Sequence, residues 1–147
     1  MLKIEYVKIK DVFDLYSIQL AEIYTKNEIT NLFHYSMNYL LKMSRADTIL
    51  KKEENVTEEM ILKFIEIIEA LKKECPIEYI SGEALFFGNK INVNKHVLIP
   101  RPETEELVQL IVTEQKNNDL YILDAGTGAV VLQYPLKNVY QITKSMQ

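Results

Sequence analysis

Apolar residues recur at helical spacing through the first half of the chain. Val12, Leu15, Tyr16, Ile18, Leu20 and Ile23 lie at mixed intervals of three and four. Ile29, Leu32, Phe33, Ser36, Met37, Leu40 and Leu41 form a cleaner stripe. Both patterns predict helices with one face to bury. Ser44, with Asp47 three residues on, has the form of a capping box and predicts a short helix through Ala46, Ile49 and Leu50. Asn55 or Thr57 can cap the next helix, whose apolar face is Val56, Met60, Ile61, Phe64, Ile65, Ile68 and Leu71. Pro76 is expected to close it, because a proline nitrogen cannot donate to the preceding turn. Such helices with short connections predict a small bundle, and aromatic or Met residues on its stripes read as core packing.

The period changes after Gly82. Ala84 to Phe87, the Gly88-Asn89 pair, and then Ile91 and Val93 alternating with polar residues predict a two-stranded hairpin. An isolated hairpin is marginal in water, so this one needs a neighbour. From Glu103 to about Glu114 the spacing of Leu107, Val108, Leu110 and Ile111 predicts another helix, which Pro102 and Glu103 suit as a start. Tyr121-Ile122-Leu123 then reads as a strand running into the turn Asp124-Ala125-Gly126-Thr127-Gly128.

Composition sharpens this division. All four glycines and all four prolines lie after residue 75, so a helical half precedes one built differently. At 147 residues the chain is short for two complete domains. A net charge of -4 offers no basic surface for tracking phosphates, so direct nucleic-acid binding is not expected. No apolar run approaches the roughly 18 residues of a membrane span, and no leader precedes the first helix, which predicts a soluble cytoplasmic protein. The single cysteine, Cys75, reads as a small buried hydrophobe. His34 reads as a partly buried or surface side chain with no second ligand in range, so no metal site is expected. Lys51 to Glu54 reads as a solvated helix end.

An acid at a strand end followed by Gly-x-Gly is how an α/β sheet brings backbone close to a nucleotide-like ligand, although such a turn is often only a turn. Its neighbour is more specific. Val97-Leu98-Ile99-Pro100-Arg101-Pro102-Glu103-Thr104-Glu105-Glu106-Leu107-Val108 resembles the signature of the release-factor N5-glutamine methyltransferases. Pro76 to Gly82, the hairpin with Phe87-Gly88, Ser44-Arg45-Ala46-Asp47, and Ile122 to Gly128 resemble that family's other motifs in order and spacing. The resemblance covers about residues 10 to 128.

The resemblance implies a mainly α N-terminal helical domain over 1–82 that helps dock a class I peptide chain release factor. A β-hairpin linker over 83–97 would follow, and then, over 98–128, the start of an α/β Rossmann-like domain that uses S-adenosylmethionine. The substrate would be the glutamine of the release factor's Gly-Gly-Gln loop. Gly126, Thr127 and Gly128 would line the methionine part of the cofactor, with Arg101, Thr104 and the segment to Glu105 bordering its pocket. For Arg101 and Glu105 a surface ion pair capping the helix is the plainer alternative.

An amide nitrogen is a poor nucleophile, because its lone pair is delocalised into the carbonyl. It must be held in line with the sulfonium methyl, its protons on fixed acceptors. The family does this with an Asn-Pro-Pro-Tyr loop, and no Asn-Pro dipeptide occurs here. No Asp or Glu follows Asp124 to bind the ribose, and Val130 stands where the family has a glycine. No catalytic residue is therefore assigned.

Residues 129–147 do not resemble the family, and Pro135 suits no cofactor helix. They can be encoded so that the adjacent reading frame, entered at the last base of the Gly128 codon, spells Ser-Gly-Cys-Ile-Ala-Ile. The expectation is an out-of-frame tail, the alternative a native tail with Val130-Val131-Leu132 as a strand. On either account this chain is expected to be inactive alone and to bind the cofactor weakly. A second reading is a non-catalytic helical module that docks on a release factor. The strand Tyr121-Ile122-Leu123, left without partners, would favour self-association through its edge.

Overall fold

The computed structural model describes residues 7–114. The chain divides into two compact units, Met1–Ser81 and Gly82–Gln147. In the first lie α1 (Ile9–Leu20), α2 (Lys26–Leu41), α3 (Arg45–Leu50), α4 (Glu58–Leu71) and the short α5 (Ile77–Ser81). The described part of the second holds β1 (Glu83–Phe86), β2 (Asn89–Asn92) and α6 (Pro102–Glu114). The architecture is thus a mainly helical N-terminal portion, an antiparallel hairpin and a further helix, as the sequence pattern and the family resemblance predict.

Polar side chains set the helix starts. Ser44 and Asp47 form the expected reciprocal box at α3. Thr57, rather than Asn55, caps α4, its side chain accepting from the Met60 N–H. Thr25 and Glu28 form a further box at α2. Helix ends rely on backbone turns. Lys42, in the left-handed region at φ 55°, donates its N–H to the Asn38 carbonyl at 3.0 Å. Past α4 the chain turns at Glu74 (φ 56°), where the Cys75 N–H reaches the Ala70 carbonyl at 3.2 Å and the Glu74 N–H reaches Leu71 at 2.8 Å, a Schellman closure. The helix is therefore finished before Pro76, which instead opens α5: its carbonyl accepts from the Tyr79 N–H at 3.0 Å.

The helical core is one cluster drawn from α1, α2, α4 and α5, with Val56 from the chain leading into α4. Its aromatic residues meet edge to face: Phe13 with Phe33 at 5.1 Å between centroids, Tyr16 with Phe33 at 5.7 Å, and Tyr16 with Phe64 at 6.4 Å. Of the α2 stripe, Ile29, Phe33, Ser36 and Met37 are buried, while Leu32, Leu40 and Leu41 are half-buried. Three readings of the pattern are corrected. On α1 Ile18 is 74% exposed, and Ile23, in the turn past its end, is 41% exposed. On α3, Ile49 and Leu50 face solvent while Thr48 is buried. On α4, Ile67 takes the inward place expected of Ile65, which is 40% exposed. Where two β-branched residues stand two apart on a helix, only one can face the core. Cys75 is also half-exposed rather than buried.

Lys51 to Glu54 does more than end a helix. The Ile9 N–H donates to the Glu54 carbonyl at 3.1 Å, Lys10 to Lys52 at 3.0 Å, and Val56 to Val7 at 2.8 Å. This loop is stitched to the entry of α1, and Glu53 adds ion pairs to Lys8 at 2.8 Å and Lys10 at 2.9 Å.

In the second unit Ala84 pairs with Ile91 on the buried face of the hairpin, beside Phe86. On the other face Leu85 is 69% exposed and Lys90 pairs with Glu83 at 2.8 Å. Val108 is the fully buried residue of α6.

Candidate functional site

The segment entering α6 brings together the expected residues that the structure describes. Pro102 opens the first turn, where its missing N–H costs nothing. The Arg101 carbonyl accepts from the Thr104 N–H at 3.0 Å. Arg101 is exposed and Thr104 half-buried, and neither side chain is engaged by another described residue.

Glu105 has a different partner from the Arg101 of the plainer alternative. Its Oε1 accepts from the Phe87 N–H at 2.9 Å, in the hairpin turn, and no ion pair joins it to Arg101 among the described residues. Phe87 and Gly88 have φ values of 46° and 75°, the pair of left-handed residues that a two-residue type I′ turn requires. Asn89 supports the turn by donating from Nδ2 to the Phe87 carbonyl at 3.0 Å. The family-like segment therefore binds the hairpin tip through a charge-assisted hydrogen bond. Gly126, Thr127 and Gly128, with Ile122 and Leu123 of the expected strand, lie outside the described residues.

The helical unit carries polar groups that the helical stripes did not single out. Ser44 and Asp47 are consumed by the cap: the Asp47 carboxylate accepts from the Ser44 hydroxyl and from the Ser44 N–H at 3.0 Å, and these bonds, the hydroxyl's first, hold its carboxyl below the usual range. Arg45 points outward, and its Nη2 donates to Asn31 Oδ1 at 2.7 Å. His34 lies tilted against Phe33, 5.4 Å between ring centroids, and its Nδ1 is buried without a partner among the described residues. Burial, and then the Arg45 charge, push its pKa below the ordinary histidine value. The spacing of Asn31, His34, Tyr35 and Asn38 along α2 was available in the sequence as a polar stripe. Among the described residues no group of His, Cys, Asp and Glu could hold a metal, and no helix is long and apolar enough to cross a membrane.

Comparison with known proteins places these features. Residues 12–82 match the family model described as the PrmC N-terminal domain. The chain is 38% identical over 114 residues to a release factor glutamine methyltransferase of Flavobacterium psychrophilum, covering 75% of this chain and 40% of that protein. It is 39% identical over 116 residues to that of Streptococcus pneumoniae, covering 78% and 42%. With that of Lactococcus lactis the identity is 43% over 90 residues, covering 61% and 33%. The chain spans about two fifths of the length of the first two relatives. With the PrmC N-terminal domain over most of its helical unit and these relatives aligned beyond it, the chain belongs to the release factor glutamine methyltransferase family.

Proposed function

We propose that the chain is the N-terminal portion of a protein-glutamine methyltransferase. Its substrate would be the Gly-Gly-Gln glutamine of a class I peptide chain release factor. Residues 1–82 would dock the release factor, 83–97 form the linker, and 98–128 begin the cofactor domain. The observation that carries this reading is the match of residues 12–82 to the PrmC N-terminal domain. The reaction is that of the relatives, which are release factor glutamine methyltransferases.

S-adenosylmethionine, when bound, supplies an electrophilic methyl group. Gly126, Thr127 and Gly128 are proposed to let backbone approach its methionine part, because no Cβ intervenes at the two glycines. Arg101 and Thr104 are proposed to border the pocket with hydrogen-bonding groups that nothing else in the described protein spends. The Glu105 bond to Phe87 would fix that border relative to the hairpin. The groups that would orient the glutamine nitrogen are not among these 147 residues, which hold no Asn-Pro dipeptide. The proposed contribution of this chain is therefore docking rather than chemistry.

A pull-down with a class I release factor tests this, using the whole chain and a version lacking residues 1–80. Capture that depends on residues 1–80 is expected; no capture by the whole chain would remove the docking role. Calorimetry with S-adenosylmethionine is expected to show no micromolar binding. Methylation of a release factor by this chain alone would overturn the division between docking and chemistry.

A further inference from the structure

The polar stripe of α2 faces a cleft. Asn31, His34, Tyr35 and Asn38 stand at i, i+3, i+4 and i+7, so they share one side of the helix. The turn out of α2 sets Met43, Ser44 and Arg45 opposite them, and the two walls enclose about 380 Å³. Arg45 is the one charged residue in the lining.

An inventory of hydrogen-bonding groups shows what this cleft can take. The Arg45 guanidinium spends one N–H on Asn31, which aims it, and keeps the rest of its five donors. The amide Nδ2 of Asn31 is also unspent among the described residues. The Tyr35 hydroxyl is paired with Ser81 Oγ at 3.0 Å, and Asn38 Nδ2 with the Met43 carbonyl at 3.4 Å. The nearest acid in sequence, Asp47, is bound into the cap and is not part of the lining. Donors exceed acceptors, and the only formal charge is a forked cation. The complementary group is a single carboxylate, which a guanidinium meets with two parallel hydrogen bonds.

His34 also lines a second hollow, of about 240 Å³, on its other side. Its exposed walls are mainly apolar, with Phe13, Phe33 and Ile49, which is 64% exposed, but Lys10 and Lys52 line it too, Lys10 being paired with Glu53 at 2.9 Å. A small free anion would leave the apolar walls uncovered, and with Lys10 held by Glu53 the two cavities offer a nucleic-acid strand only Arg45 and Lys52, too few to release many counterions. A polypeptide can supply both an acid and an apolar side chain within a few residues.

We propose that this pair of cavities receives a segment of a partner protein that presents a carboxylate to Arg45 and an apolar side chain to the hollow beside Ile49. The site refines the docking role proposed above and rests on it for the identity of the partner.

The test is an NMR titration of the 147-residue chain with a capped Leu-Ala-Glu peptide, a capped Leu-Ala-Gln peptide and inorganic phosphate. The Glu peptide is expected to shift the signals of Asn31, His34 and Arg45. Arg45→Gln, at an exposed position, should weaken it about tenfold, as expected for loss of a charge-assisted contact. Ile49→Ala should weaken it about threefold by removing apolar contact. Absence of shifts up to about 10 mM, already weaker than a contact of ~3 kcal/mol would give, overturns the proposal. So does equal binding of the Gln peptide, or binding of phosphate as tight as that of the Glu peptide. Release factor captured equally by wild type and by Arg45→Gln overturns this site and leaves the docking role standing. Failure to capture a release factor, with the peptide shifts intact, supports the site and removes the docking role.

Discussion

Tyr16 shows how one atom can work against its own side chain. The ring is fully buried and touches Phe33 and Phe64 edge to face, a favourable aromatic arrangement. Its hydroxyl, buried with it, has no hydrogen-bond partner among the described residues. Ser36 is near enough to temper the effect of burial, which still pushes the phenol pKa well above its ordinary value, but it is not in bonding geometry. The Ser36 hydroxyl gives its one proton to the Leu32 carbonyl at 2.8 Å, so it could serve Tyr16 only as an acceptor. Tyr16→Phe keeps the ring and removes an unsatisfied group, so it should leave stability unchanged or raise it by up to about 1 kcal/mol. Tyr16→Ala removes the ring as well and should cost about 3–5 kcal/mol. Urea unfolding of the three proteins checks both, and a Phe variant as damaged as the Ala variant would show that the hydroxyl is in fact satisfied. The sequence made Tyr16 legible as core, because it falls on an apolar stripe. Its unpaired oxygen was not legible, since satisfaction depends on what the neighbouring helix brings opposite.

At the scale of elements, the readable features are the local ones. The boxes at Ser44 and Thr25 and the cap at Thr57 follow from residues within one turn of each other. The hairpin was legible too, but its turn lies one residue earlier than the Gly88-Asn89 pair suggests. Phe87 takes a left-handed φ that a bulky residue rarely adopts. The compensating partner is Glu105, eighteen residues on, which no local rule finds. Glu105→Ala should free the Phe87 amide, and its hydrogen exchange should quicken about tenfold for a loss of ~1.4 kcal/mol. Glu105→Gln, whose side-chain oxygen can still accept, should give a smaller change. Equal rates in all three proteins would mean that the turn holds itself. The loop at Glu53 is a second non-local joint. Hydrogen bonds from Lys8 and then Lys10 lower the Glu53 carboxyl to about 2. Because this value is below that of the unfolded chain, the stabilisation it reflects is present above about pH 4.5 and is lost as pH falls toward 2. All three groups are exposed, so salt should weaken the effect. Carboxyl NMR should place the Glu53 midpoint near 2 in low salt, and Glu53→Gln should remove that part of the acid sensitivity. A midpoint near 4.5 would show that the ion pairs do not persist in solution.

At the scale of the molecule, the core explains why the helical unit can be treated by itself. Every buried member of its apolar cluster lies between Ile9 and Ile77, and the capping groups of α2, α3 and α4 come from the same stretch. The loop–helix joint through Val7, Lys8 and Glu53 is internal to it as well. Domains of this size bury a smaller fraction of their surface than larger ones, so the margin is modest. At typical values per residue, a unit of 81 residues is stable by on the order of 4–12 kcal/mol. A fragment of residues 1–81 should therefore fold, show helical circular dichroism, and unfold in one cooperative transition. The substitution Phe64→Ala, at a residue with no exposed surface, should remove about 3–5 kcal/mol, enough to unfold a unit at the low end of that range. The same substitution should leave the exchange of Phe87 unchanged, because the turn bond is made within the second unit. If the fragment fails to fold while the whole chain does, the helical core depends on residues after Ser81. Docking would then be a property of the whole chain rather than of its first unit.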